Sequence, residues 1–446
     1  MAALRENSGR KRDVMGLGLA ALSRLAGSRT LERSGLREPV QNLVSAATRN
    51  GFKVAGAASR TFSSSRKRGG DATRPAPAED KGLFDLTPSE DQQMIVETVS
   101  EFAAEQLRPA AGEADEKLSP PDGLLTRAAE LGVTLISIPE ELGGAGAERS
   151  VVTNALVAEA LAHGDLGLAV AVLAPSAVSN ALVLWGDAQQ QADYLPEFVG
   201  ENVPAAALAL LESKPLFDPF KPATKARRTP GGYQLDGVKS LVPRAGQAEL
   251  FVVSADLEGR GPALFLVESS TKGVSIEADP AMGLRGAATG KLHLEKVSLP
   301  AGALLGGGSP DVFTEAVRLS RLGWAALATG TAKAVLDYVI PYVNERTAFG
   351  EPISHRQAVA FSVADIAIEL EGMRLVMLRA AARAEQGKPF AREVALARKL
   401  AADKGMRIGS AGVQLLGGHG FVKEHPVERW YRDLRAIGVL EGVVLL

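Results

Sequence analysis

The sequence predicts an α+β fold in three parts: an N-terminal helical domain, a central β domain and a C-terminal helical bundle. Three observations carry this. From Leu86 apolar residues recur at helical spacing to about residue 203. Between 204 and 307 the segments alternate, are rich in Val, Leu and Phe, and are bounded by Gly, Pro and Asp, which is a strand pattern. From 308 helical spacing returns, broken only by glycine-rich turns. The 446 residues suffice for several domains around a large core.

Residues 1–82 read as a basic extension and flexible linker. Residues 1–70 hold 14 Lys and Arg against four acids, an excess of ten, so the rest of the chain carries a net −12. Arg10-Lys11-Arg12 precedes an apolar run from Val14 to Leu25, and Ser63-Ser64-Ser65-Arg66-Lys67-Arg68-Gly69-Gly70 with Pro75-Ala76-Pro77 forms a linker by composition. Three readings stay open for this segment: a solvated tail, a basic arm making peripheral contact with anionic membrane, and a mitochondrial transit peptide. The Ala-, Arg- and Gly-rich, Lys-poor body favours a bacterial, cytoplasmic protein over a mitochondrial matrix one. The net charge of −2 argues against nucleic acid as a partner. With no cysteine, disulfides, thiolate chemistry and zinc–sulfur sites are excluded, and five scattered histidines offer no metal site. No apolar run reads as long enough to span a membrane.

The N-terminal domain, 83–203, opens with Thr87-Pro88-Ser89-Glu90, which supplies a cap, a first-turn proline and early acids. Ile138-Pro139-Glu140-Glu141-Leu142-Gly143-Gly144-Ala145-Gly146 makes a glycine-rich turn between helices. In the β domain, 204–307, strands are expected over Tyr233–Lys239, Leu250–Ala255, Ala263–Val267 and Gly290–Leu299. In the last domain, 308–446, Val359, Val363, Ile366, Leu370, Met373 and Met377 mark one buried stripe of a helix from Gln357 to Gln386. A second helix runs from Phe390 to Leu416, and Gly417-Gly418 ends it, since glycine accepts the left-handed cap. The bare amides of Gly417-Gly418-His419-Gly420 can face a phosphate or simply close a helix.

Taken in order, Arg346-Thr347-Ala348-Phe349-Gly350, Gln357, Gln414 to Phe421, Val427-Glu428-Arg429-Trp430-Tyr431-Arg432-Asp433 and Leu440-Glu441-Gly442 closely resemble the C-terminal half of the acyl-CoA dehydrogenases. The turn at Ile138–Gly146 matches the family's first strong motif, and the resemblance spans roughly 85–442. It implies a bundle lacking the family's last helix, an FAD cofactor and an acyl-CoA substrate. In that family a carboxylate removes the α-proton of the thioester, the flavin takes the β-hydrogen as hydride, and a trans-2-enoyl-CoA results. Electrons leave through an electron-transfer flavoprotein or a similar acceptor.

The resemblance implies Glu441 as the catalytic base, because the alternative position on the preceding helix is Ser320-Arg321. It implies Arg321 on the acyl-CoA side, with the N-terminal helices as one wall of the acyl pocket. Arg346, Thr347, Phe349, Gln357, Gln414, Gly417, Gly418 and Gly420 would hold the FAD, the first three that of a neighbouring subunit, so a homo- or hetero-oligomer of two or four chains is expected. The chain departs from the family at Leu211-Glu212-Ser213-Lys214-Pro215-Leu216-Phe217-Asp218, where Glu212 and Asp218 read as relics. It departs again at Ser240-Leu241-Val242-Pro243, where Leu replaces an aromatic residue and Pro a hydroxyl that bonds the flavin. Two functions follow: an FAD-dependent acyl-CoA dehydrogenase, or a non-catalytic half-site subunit that completes a partner's FAD site. The missing helix is expected to leave apolar surface near Leu440 to Leu446 in need of cover.

Overall fold

The computed structural model describes residues 86–146, 149–200 and 202–446, and among them Ser89 caps the first helix. The basic extension, with the membrane and transit readings placed on it, lies outside the described residues. Helix α1 (Glu90–Phe102) begins with a capping box: Ser89 Oγ accepts from Gln92 N at 3.2 Å, and Ser89 N donates to the Gln92 side chain at 3.0 Å. Pro88 therefore precedes the cap instead of lying in the first turn. The helix passes through a π turn, Ala103–Leu107, into α2 (Arg108–Lys117).

After α3 (Leu124–Glu130), the core of this domain is α4 (Val151–Gly164) and α5 (Leu166–Trp185), followed by α6 (Ala188–Phe198). Here one expectation fails. Helix α5 has 20 residues with a window of mean hydropathy 1.9, long and apolar enough to cross a membrane. That window is 94% buried inside the protein, because α5 packs between the other helices and the β domain. All-round hydrophobicity is the mark of a central core helix as much as of a membrane span.

The middle of the chain forms one eight-stranded sheet in the order β6-β7-β3-β2-β4-β5-β8, with β1 paired parallel to β4. Strands β3 (Gly232–Val242), β4 (Leu250–Leu257), β5 (Gly261–Glu268) and β7 (Gly290–Pro300) lie where alternation predicted them. Strands β1 (Ala206–Ala209), β2 (Lys225–Thr229), β6 (Val274–Ala278) and β8 (Leu304–Leu305) carry no such signal. Alternation along β4 serves two cores. Phe251 and Val253 face the core of the β domain, while Leu250 and Val252 face the helices.

Helix α7 (Pro310–Glu345) leads into a short hairpin, β9 (Thr347–Ala348) and β10 (Glu351–Pro352). Then come α8 (Gln357–Glu385), α9 (Ala391–Leu415) and α10 (Val427–Ala436), which with α7 make a four-helix bundle. Helix α7 also crosses α4 very closely. A Cβ on Gly330 would lie 2.0 Å from the Glu159 carbonyl oxygen, so glycine is required there.

Glu428, Arg432 and Asp433, part of the stretch that carries the resemblance, tie the domains together. Arg432 donates to both Asp115 oxygens at 2.7 and 3.0 Å and to Glu428, and Asp433 accepts from Leu284 N at 2.6 Å. Arg429 donates to Asp165, the cap of α5, at 3.1 Å. Helix α10 thus clasps α2, α5 and the loop before β7 in one ion-paired junction.

Candidate active site and dinucleotide face

Glu441 follows α10 and is 8% exposed. Arg321, on α7, holds both of its carboxylate oxygens, Nη2 to Oε1 at 2.7 Å and Nε to Oε2 at 2.9 Å. Arg398, on α9, stands 3.6 Å from the same carboxylate and donates to the Leu440 carbonyl. Arg321, expected on the substrate side, is therefore engaged with Glu441, and its guanidinium also lies 5.9 Å from the centre of the Phe220 ring. Sequence reasoning missed Arg398. An arginine on an amphipathic helix carries no mark of the buried carboxylate it will meet.

The residues after Glu441 turn inward. Ser320 Oγ and Trp324 Nε1 donate to the Gly442 carbonyl at 2.7 and 2.8 Å, and Val443 bridges Leu208 of β1. Leu440 and Val443 to Leu446 are at most 3% exposed. The expectation that they leave an uncovered apolar surface fails, because the segment turns into the protein and covers itself.

On the β domain, Glu212 is no relic. Its carboxylate accepts from Lys239 Nζ at 2.7 Å and from the Thr224 N–H and hydroxyl at 2.9 and 2.7 Å. Lys239 also donates to Ser254 at 2.9 Å. Burial pushes the Lys239 ammonium down to about 8, against the pull of Glu212. Burial works against the Glu212 carboxylate too, yet Lys239 and Thr224 outweigh it and its pKa falls. The pair ties β3 and β4 to the loop after β1. Asp218 has a local task, accepting from Phe220 N at 3.1 Å. Beyond Lys239 the strand bulges, Leu241 takes a φ of 49°, and its N–H is engaged by Asp279 at 3.1 Å. Pro243, two residues on, is buried and has no N–H to offer.

The other candidates gather at the far end of the bundle. Thr347-Ala348-Phe349-Gly350-Glu351-Pro352 is a two-residue hairpin with φ of 56° at Phe349 and 85° at Gly350, the mirror-image turn that hairpins favour. Phe in this conformation is strained, yet its side chain is 96% exposed. Arg346, Thr347, Gln357, Gln414, Gly417 and Gly418 are exposed as well. Tyr342 joins the two halves of this face: its carbonyl accepts from Arg346 N at 2.9 Å, and its hydroxyl bonds His419 Nδ1 at 2.9 Å.

The glycines separate by role. Gly417 has a φ of 58° and stops α9; Gly420 is buried, and a Cβ there would lie 2.2 Å from Val413 O. At Gly418 a Cβ would meet nothing within 4 Å, so the chain's own packing does not require that glycine. An exposed arginine, two exposed amides, an outward aromatic ring and an open glycine fit the diphosphate and adenosine part of a dinucleotide. The Leu241–Pro243 turn offers no free donor for a flavin ring.

Comparison with known proteins decides the identity. The family models for the acyl-CoA dehydrogenase N-terminal, middle and C-terminal domains match residues 89–202, 207–297 and 310–443. The chain belongs to the acyl-CoA dehydrogenase family. It is 32% identical over 366 residues to the mitochondrial short-chain specific acyl-CoA dehydrogenase of Bos taurus, covering 79% of this chain and 87% of the relative. It is 30% identical over 371 residues to the acryloyl-CoA reductase (NADH) of Anaerotignum propionicum, covering 80% and 93%. Butyryl-CoA dehydrogenase from Megasphaera elsdenii superposes with a TM-score of 0.74 at 29% identity, covering 80% of this chain and 96% of that one. As an acyl-CoA dehydrogenase, the protein is an oxidoreductase acting on CH–CH bonds. Within that family, the pairing of Arg321 with Glu441, the approach of Arg398 and the inward turn of residues 442–446 are features of this chain that the sequence motifs did not announce.

Proposed function

We propose that this chain dehydrogenates an acyl-CoA thioester between Cα and Cβ, giving the trans-2-enoyl-CoA, with Glu441 as the base. The observation that carries the reading is the single buried carboxylate after α10, its plane fixed by Arg321 and flanked by Arg398. The cofactor is FAD, which when bound accepts the hydride leaving Cβ. Arg346, Thr347, Phe349, Gln357, Gln414 and Gly418 hold its dinucleotide part.

Glu441 takes the α-proton on the carboxylate oxygen that faces the thioester. Arg321 keeps that carboxylate oriented and stays as its partner. Glu441 is enclosed by Arg321 of α7 and Arg398 of α9 and is only 8% exposed, so its carboxylate meets little bulk water. Support for a paired assembly comes from the length of α7. Arg321 and Arg346 are separated by about 37 Å along it, so Glu441 and the Arg346 face of one chain serve different cofactor molecules. An electron-transferring flavoprotein is the proposed acceptor and acyl-CoA β-oxidation the proposed setting.

In Glu441→Gln the size is kept and the base removed. Anaerobic flavin reduction by butyryl-CoA should fall on the order of 10²–10⁴-fold, with FAD content unchanged. An unchanged rate places the base elsewhere. A second reading is favoured by the Leu241–Pro243 turn: a subunit that supplies the Arg346 face to a partner's FAD. Protein purified alone without flavin, gaining it only with a same-family partner, selects that reading.

A further inference from the structure

We propose that the cleft between α3, α5 and the turn after β3 is a binding site for a short-chain monocarboxylate, with Arg244 as its counter-charge. The cleft has a volume of about 150 Å³. A cavity of about this size lined by apolar side chains takes up benzene, a molecule of about six heavy atoms. Leu125 and Ala129 of α3, Val133, and Val172 and Pro175 of α5 make an apolar wall. Arg244 lines the cleft as well, and among the described residues it is the one charged group that does. An apolar wall with a single cation suits a short alkyl group that ends in an anion, which is the chemistry of butyrate and its near homologues. Neither Glu441, Arg321 nor Arg398 lines the cleft, so the site does not depend on which residue is the base.

Two observations set Arg244 apart from an ordinary surface arginine. First, its charge is uncompensated. Nε donates to Gln247 Oε1 at 3.2 Å, and among the described residues the two Nη groups meet no carboxylate. Burial pulls the guanidinium down from its ordinary value with no acid to oppose it. A part-buried charge without a partner costs free energy. A carboxylate accepting two parallel N–H bonds from the guanidinium removes that cost. Second, the backbone is strained. Arg244 has a φ of 50°, with its N–H donating to the Ala287 carbonyl at 2.9 Å. Its own carbonyl accepts from Gln247 N and Ala248 N at 2.8 and 3.0 Å. Such strain in a residue other than glycine persists where the surroundings over-determine it, and it clusters at ligand sites. Thr134 adds an unused donor to the wall, since it is 3% exposed and its Oγ1 has no hydrogen-bond partner.

The test titrates butyrate into the whole chain by isothermal calorimetry, with butyramide, octanoate and inorganic phosphate alongside. Butyrate is then repeated on Arg244→Gln, Arg244→Lys, Ala129→Leu and Glu441→Gln. Wild type should bind butyrate with a Kd on the order of 0.1–1 mM. Butyramide keeps the shape without the charge, and Arg244→Gln keeps the cleft without the cation. Each should weaken binding on the order of 10–100-fold. Ala129→Leu fills the cleft from a helix that accepts leucine and should weaken it as well. Arg244→Lys keeps the charge and should stay closer to wild type than Arg244→Gln. Phosphate lacks the alkyl body and octanoate outgrows the cleft, so both should bind more weakly than butyrate. Glu441→Gln should bind butyrate as wild type does, whether or not Glu441 is the base. Absence of butyrate binding, binding unchanged in both Arg244→Gln and Ala129→Leu, phosphate as tight as butyrate, or loss of binding in Glu441→Gln overturns the proposal. If Arg244→Gln fails to fold, Ala129→Leu and the butyramide comparison decide it.

Discussion

Asp433 is fully enclosed at the junction of three domains, 2% exposed, with Leu284 N as its hydrogen-bond donor. Burial, and then the charge of Asp165 nearby, raises its pKa to about 7, opposed by Leu284 N, Arg432 and Arg429. In the unfolded chain an aspartate titrates near 3.9. The folded state therefore binds more protons than the unfolded state between about pH 4 and pH 7. Its contribution to stability is complete below the unfolded value and is lost as pH rises through the folded one, at up to about 1.4 kcal/mol per pH unit. Asp433→Asn keeps an oxygen for Leu284 N and removes the titration. The fall in melting temperature of wild type from pH 5 to pH 8 should be visibly smaller in the variant. Equal slopes would show that Asp433 does not carry it.

At the scale of elements, the helix crossings make the sharpest claims. Gly330→Ala places a methyl against the Glu159 carbonyl and should destabilise by about 1–3 kcal/mol or more. Gly372→Ala, on α8 where a Cβ meets nothing within 4 Å, should stabilise by up to about 1 kcal/mol, since alanine is the better helix former. Urea midpoints of the two variants should move in opposite directions. Both glycines look alike in the sequence, because a crossing is made by a partner far along the chain: Glu159 lies 330 − 159 = 171 residues before Gly330.

The same limit explains what could be read in advance. Helices α8 and α9 and strands β3, β4, β5 and β7 were legible because their own side chains alternate with the right period. The polar β2, Lys-Ala-Arg-Arg-Thr, and the Ala-rich β1 are strands only because β3 and β4 supply their partners. Within the site, Glu441 and the exposed residues of the Arg346 face were named by motif. The Arg321 and Arg398 contacts, the Lys239–Glu212 pair and the inward turn at Gly442 were not, because each joins residues from different elements.

At the scale of the whole molecule, the separation of Glu441 from the Arg346 face along α7 makes a claim about assembly. If each FAD takes its base from one chain and its outer contacts from another, two defective chains can repair one another. Arg346→Glu should weaken flavin binding at the partner's site and leave its own Glu441 intact. Glu441→Gln should abolish proton removal at its own site and leave its Arg346 face intact. In a mixed two-fold dimer one site collects both defects and the other collects none. Co-expression of the two variants at equal levels gives half the dimers mixed, each with one whole site, and so roughly a quarter of the wild-type activity under random pairing. Either variant alone should stay near background. Activity is to be measured on co-purified, doubly tagged dimers, which contain only the mixed species and should reach about half of wild type. Background activity in doubly tagged dimers would mean that Arg346 and Glu441 of one chain act on the same cofactor, and the length of α7 would then have to be reconciled with a bend that brings its two ends together.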